Sequence, residues 1–172
     1  MMEAKERRAQ LLNALRQAKE PLTGSTLARE MGVSRQIIVG DIAILRAAGV
    51  NIYATPQGYV LPMENVSQPL TGTLACKHSR RQVAQELEII IDHGGKVRDV
   101  IVEHPVYGEI RANLMLSSRR DIADFLAALT NSGAEPISIV TGGVHLHTVE
   151  VPSEEVFREI EGALKAAGIL IH

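Results

Sequence analysis

The sequence predicts an α+β chain: a small helical N-terminal half closed by a hairpin, then a half in which strands and helices mix. Three patterns predict it. Two amphipathic helices are separated by Gly32-Val33. Two short β-prone runs follow, split by Thr55-Pro56-Gln57-Gly58. Beyond a stretch with two prolines, strand-like runs and capped helices succeed one another, several joined by short turns, which indicates helices layered on one sheet face.

Glu3 to Ala18 reads as a first helix, with Leu11, Leu12 and Leu15 inward and Arg7, Arg8 and Arg16 outward. Thr23 to Met31 is a shorter helix with Leu27, Ala28 and Met31 inward. Ser34 caps the next helix, which runs to Ala48, and Gly49 closes it. Ile37, Ile38, Asp41, Ile44, Leu45 and Ala48 recur at helical spacing and form its inward stripe. Ser34, Arg35, Gln36, Val39 and Gly40 lie near its start, with Arg35, Gln36, Val39 and Gly40 off that stripe, where a DNA-binding face belongs. Arg bridges guanine O6 and N7, and Gln bridges adenine N6 and N7. Helix, short glycine turn and second helix make a helix-turn-helix, and Val50–Ala54 with Tyr59–Leu61 supplies a wing. A plain helical domain with a hairpin is the simpler alternative. Asp41 interrupts the apolar stripe. A carboxylate repels phosphate, so it is read as a structural partner for an Arg or a backbone amide.

Composition sets the limits. Of 172 residues, 45% are hydrophobic, enough for buried cores, and no apolar run approaches a membrane span of about 20 residues. The charged N-terminus does not read as a secretory signal, and the one cysteine, Cys76, cannot form an internal disulfide, so a reducing cytoplasm is expected. The net charge of −2 hides a split. Residues 1–61 carry 8 Lys+Arg against 5 Asp+Glu, net +3; residues 62–172 carry 10 against 15, net −5. The positive charge sits on the half expected to meet phosphate. The expected domains are 1–61, a linker 62–71, and 72–172.

In the second half, Thr73–Lys77 is a strand. Ser79 opens a helix to about His93, with Gln82 completing a capping box. Val97–Val102 is a strand, His104-Pro105 a turn, and Val106–Leu116 a strand. Ser118 caps a helix to about Asn131. Pro136–Thr141 and Val144–Val151 form a strand pair. Ser153–Ala167 is the last helix, suited to dimerisation or to packing on the sheet, and Ile169–Ile171 a final strand.

Three clues carry chemistry. His145 and His147, two apart on a strand, project from one face. Glu86 lies beside the apolar stripe of Val83, Leu87 and Ile90, and a buried carboxylate needs a partner. His78 stands just before that helix. Together they could converge on one divalent metal. Spacing alone leaves the plainer alternative open, two solvated or satisfied histidines, and Cys76 reads as a buried thiol rather than a ligand. His93 and His172 read as surface residues.

These residues also carry resemblances. Thr26-Leu27-Ala28, Val33 to Gln36, Asp41 to Gly49 and Gly58-Tyr59 resemble the winged helix-turn-helix of biotin-repressor-type regulators. Lys77-His78, Val100 to Arg111 and Gly142 to Thr148 resemble the α/β sandwich-like three-histidine domain, and with the winged helix before it the whole chain is similar to the niacin-responsive transcriptional repressors of bacterial NAD biosynthesis and niacin uptake. The resemblance implies a nickel or zinc site on His78, Glu86, His145 and His147. It implies nicotinic acid as co-repressor, and a homodimer on an inverted-repeat operator. His104, Tyr107 and Arg111 are then expected as the effector pocket, Arg111 being suited to a carboxylate; the plainer alternatives are that His104-Pro105 only shapes a turn, that Tyr107 is core and that Arg111 pairs with Glu109 or Glu103. A metal-dependent enzyme acting on a pyridine carboxylate, a response to some other small effector, and a purely structural metal are the rival readings. The enzyme reading lacks a separate general base and leaves the DNA-binding half unexplained.

Overall fold

The computed structural model describes residues 2–62 and 69–172 and divides into two compact units, Met1–Asn65 and Val66–His172. Among the described residues no helix is long and apolar enough to cross a membrane.

The N-terminal unit contains α1 (Ala4–Gln17), α2 (Gly24–Met31), α3 (Arg35–Ala47) and a two-stranded hairpin, β1 (Tyr53–Thr55) and β2 (Gly58–Val60). Thr23 and Ser34 cap α2 and α3 by accepting from the amides of Thr26 and Ile37. Gly32, at φ +65°, makes the left-handed turn between them. Leu11, Leu15, Leu27, Ile38, Ile42 and Ile52 are each at most 3% exposed. Burial of such side chains contributes about 1.5–3 kcal/mol apiece. The inward stripe of α3 is rotated from the expected one. Ile38, Asp41 and Ile42 are buried, whereas Ile37 and Ile44 are 42% and 50% exposed. Asp41 turns the stripe: its carboxylate faces α1, where Arg7 grips it through Nε and Nη2 at 2.6 and 3.2 Å and Arg8 adds a contact at 3.5 Å. Arg7 therefore points inward, not outward as its place in the α1 pattern suggests.

The C-terminal unit is a four-stranded antiparallel sheet of order β3-β6-β4-β5, built from β3 (Leu70–Lys77), β4 (Lys96–His104), β5 (Gly108–Leu116) and β6 (Val144–Val151). Helices α4 (Val83–Asp92), α5 (Arg119–Ser132) and α6 (Glu154–Ala166) close over a core that includes Leu74, Leu87, Ile90, Val97, Leu116, Ile122, Ile160 and Leu164. Ser118 and Ser153 cap α5 and α6 through their hydroxyls. Leu170 bridges to Cys76 on the free edge of β3, so the expected final strand is a single rung.

Several expectations shift. Of the expected linker, residues 63–68 lie outside the described residues, and Leu70 and Thr71 already belong to β3. Ser79 makes no side-chain cap; a 3-10 turn, Arg80–Gln82, comes before α4 instead. Pro136–Thr141 does not pair as a strand. Ile137–Thr141 coils into a 3-10 turn, held by Ile139 N–H to the Pro136 carbonyl and Gly142 N–H to that of Ile139. Val106 and Tyr107 belong to the β4–β5 turn, and β5 starts at Gly108. His93 is half-buried, its Nδ1 2.7 Å from the Ile89 carbonyl at the end of α4.

Candidate metal centre and nucleic-acid interface

The β4–β6 pairing is irregular where it matters most. Between the rungs Val97–Val149 and Ile101–Leu146, three residues of β4 face two of β6. The extra residue frees Asp99 from regular pairing with β6, while it stays paired with Asn113 of β5. Its carbonyl oxygen accepts from His147 Nδ1 at 2.6 Å, and its carboxylate accepts the Thr148 amide at 2.8 Å. The other two rings are held alike. His145 Nδ1 meets the Gly143 carbonyl at 2.8 Å, and His78 Nδ1 meets the Ser79 carbonyl at 2.8 Å. Gly143 is required there. At φ +99° it packs so closely on the His78 backbone that a Cβ would collide with the His78 carbonyl.

A carbonyl can only accept, so each Nδ1 carries a proton and each neutral ring turns a bare Nε2 lone pair inward. All three point at Glu86. His78 Nε2 lies 2.6 Å from Glu86 Oε2, His145 Nε2 2.7 Å from Oε1, and His147 Nε2 3.3 Å from Oε2. The last is too poorly aligned to count as a hydrogen bond, so His147 Nε2 is a buried nitrogen without a partner. All four side chains are at most 3% exposed, and adjacent rings cross at 80–84°. Neutral lone pairs aimed at a buried carboxylate repel it; a cation among them resolves the conflict. Without a metal, protons do so. Burial lowers the His78 and His147 ring pKa, but Glu86 outweighs it, by hydrogen bonding and charge at His78 and by its charge at His147, and both stand above the ordinary value. Burial likewise raises Glu86, yet the three histidines hold it well below the usual carboxylate range. This donor set of three imidazoles and one carboxylate fits a divalent transition ion such as zinc or nickel. Cys76 lies nearby, its sulfur within 4.8 Å of donor atoms of Glu86 and His145. Burial, then the charge of Glu86, pushes its thiol pKa up and keeps it protonated.

The cluster forms one end of a cavity of about 180 Å³, whose apolar walls include Val100, Ala112, Leu114 and Phe125. An apolar cavity of about 150 Å³ suffices for benzene, so one six-membered ring fits here.

The residues expected around an effector do not line this cavity. His104 folds back on the β4–β5 turn, its Nδ1 accepting the Val106 and Tyr107 amides at 3.1 and 3.2 Å. Tyr107 is 78% exposed. Arg111 is bound to Asp99 at 2.5 Å and to Glu109 at 3.5 Å. The carboxylate partner of Arg111 is thus a residue of the chain itself, one that also anchors His147. The sequence alone gives neither the anchoring role of Asp99 nor the close approach at Gly143. An aspartate amid the apolar run Val97–Val102 was the available signal, because burial demands a partner for it.

On the other unit, Ser34, Arg35, Gln36 and Gly40 are exposed and Val39 half-buried along the N-terminal part of α3, with the hairpin following that helix. The Ser34 hydroxyl is engaged in the cap.

A family described as the 3H domain matches residues 71–172, and an HTH domain family matches residues 7–60. A "Probable transcription repressor NiaR" of Thermotoga maritima is 44% identical over 166 residues, covering 96% of this chain and 94% of the relative. The chain belongs to the 3H-domain family of transcription repressors. A second relative of this 3H repressor, "Transcription repressor NadR" of Bacillus subtilis, is 42% identical over 167 residues, covering 96% and 93%. As a member of a repressor family, the 3H protein is a DNA-binding regulator rather than an enzyme.

Proposed function

We propose that this repressor is metal-containing and binds operator DNA in response to nicotinic acid, controlling genes of NAD biosynthesis or niacin transport. His78, Glu86, His145 and His147 hold a nickel or zinc ion, and when bound the ion supplies a Lewis-acidic centre at the inner end of the cavity. The observation that carries the reading is the cluster itself: three inward lone pairs and one carboxylate, buried, opening on an apolar space that fits one ring. Nicotinic acid is such a ring with a charged substituent. The protein acts as a homodimer, with two copies of α3 about one helical turn of DNA apart. Arg35 and Gln36 read base edges, with Val39 and Gly40 closing on the groove and Ser34 at its backbone. A co-repressor must bind the DNA-competent arrangement more tightly than the other.

An operator gel shift with metal-replete protein tests this, with and without nicotinic acid, beside His145→Ala. Tighter binding with the acid, abolished in the variant, is the expected result. Equal binding in all lanes would remove niacin sensing and leave the DNA-binding assignment standing.

A further inference from the structure

The cavity contains the means to bind a ring, but none of the four apolar walls named above can bind a carboxylate. Its mouth can. His78, Glu135, Pro136 and Ser138 line both the cavity and an adjoining vestibule of about 240 Å³, and among the described residues lining either space the only Arg or Lys is Arg80. Arg80 is already bound to a carboxylate. Its Nη1 lies 2.9 Å from Glu135 Oε2 and 3.5 Å from the Ala134 carbonyl. Arg111, the other candidate, lines neither space, and its partner Asp99 is buried and so not exchangeable.

We propose that Arg80 is the residue that recognises the effector's carboxylate, and that Glu135 is its resident stand-in. This rests on the effector reading above. The ring lies between the apolar walls with its nitrogen toward the histidine cluster, and its carboxylate replaces Glu135 on Arg80. The exchange is easy because the resident pair is weakly held: the side chains are 47% and 54% exposed, and exposed pairs are worth little. Released, Glu135 faces water. The same pair explains selectivity. A guanidinium holding a carboxylate is surrendered to another carboxylate, with which it forms two charge-assisted bonds, and not to a neutral amide. Glu135 sits just beyond Gly133, the left-handed residue ending α5, at the start of the segment that leads through the Ile137–Thr141 turn to Gly143 and the His145 anchor.

Nickel-loaded full-length protein is titrated calorimetrically with nicotinic acid and with nicotinamide, as wild type, Arg80→Gln, Arg80→Lys and Glu135→Gln. Nickel stoichiometry in each variant reports that the cluster is intact. Arg80→Gln should weaken the acid at least about tenfold and leave the amide nearly unchanged, so that the preference collapses. Arg80→Lys should restore part of it, and Glu135→Gln should tighten the acid. An acid-over-amide preference that survives Arg80→Gln, or a Glu135→Gln variant that binds the acid more weakly, overturns the assignment while leaving niacin sensing intact. Wild type that binds neither compound overturns the effector reading and this assignment with it.

Discussion

Replacing Gly143 by alanine tests whether the histidine cluster is held by its backbone anchors. Two costs add. At φ +99° an alanine is strained by about 1–3 kcal/mol. Its Cβ also meets the His78 carbonyl, a backbone atom that cannot rotate away, and such overpacking costs a further 1–3 kcal/mol or so. A loss of about 4 kcal/mol is therefore the central expectation, roughly 4 °C or more in melting temperature per kcal/mol. The relief of the clash has a second effect. Moving His78 withdraws its Nε2 from Glu86, and moving residue 143 displaces the carbonyl that orients His145. Loss of such anchors lowers metal affinity about 10- to 100-fold. Gly142→Ala is the control. At φ +63° it is strained by about 1–2 kcal/mol, but no atom lies within 4 Å of its Cβ and it anchors no histidine. Calorimetric nickel titration and thermal melting of both variants supply the answer. If Gly143→Ala binds nickel as the wild type does, or if the two alanines weaken it equally, the close approach to His78 has no part in shaping the centre.

Three other outcomes are expected. Arg35→Ala should weaken operator binding by about 1–3 kcal/mol and relax base preference at one position, read by gel shifts on a panel of single-base operator variants; a uniform loss across the panel would assign Arg35 to phosphate instead. Asp41→Ala should loosen α3 from Arg7 and Arg8, lower the melting temperature of the N-terminal unit and weaken operator binding, with nickel stoichiometry unchanged. For pH the sign is fixed by His78 and His147, whose metal-free pKa values are raised. Their contribution to stability is full below the unfolded value of about 6.5 and fades as pH rises through the raised values. Metal binding requires the deprotonated rings, so it strengthens over the same rise. The melting-temperature gap between nickel-loaded and metal-free protein should therefore widen from about pH 6 to about pH 8, and a gap that narrows contradicts protonated histidines in the metal-free cluster.

Where periodicity and caps agree, the sequence is a good guide. Thr23, Ser34, Ser118 and Ser153 all accept the amide three residues on. Asp41 lies in the expected stripe of α3 and has the Arg partner its carboxylate calls for, but its grip on Arg7 centres the buried face on Ile38, Asp41 and Ile42 and leaves Ile37 and Ile44 outside. Pro136–Thr141 has the composition of a strand, but Ser138 offers its carbonyl to the Gly143 amide and the run coils. In the candidate site, His145 and His147 were legible from a period of two and Glu86 from its place beside an apolar stripe. Their anchors were not, because carbonyl oxygens leave no mark on a sequence and a bulge depends on strands far apart in the chain. The same holds for Arg111, whose type suits a carboxylate: only the fold reveals that Asp99 is its partner.

The donor cluster and part of the apolar wall come from different pieces of chain. His78 precedes α4, Glu86 lies on it, and His145 and His147 lie on β6, while Ala112, Leu114 and Phe125 come from β5 and α5, which supply no donor to the cluster. Donor set and these walls can thus be altered separately. A substitution at Ala112 or Phe125 reshapes the cavity without touching any group of the histidine cluster. The shape of the cavity can therefore be changed one wall residue at a time while the histidines and the glutamate stay in place.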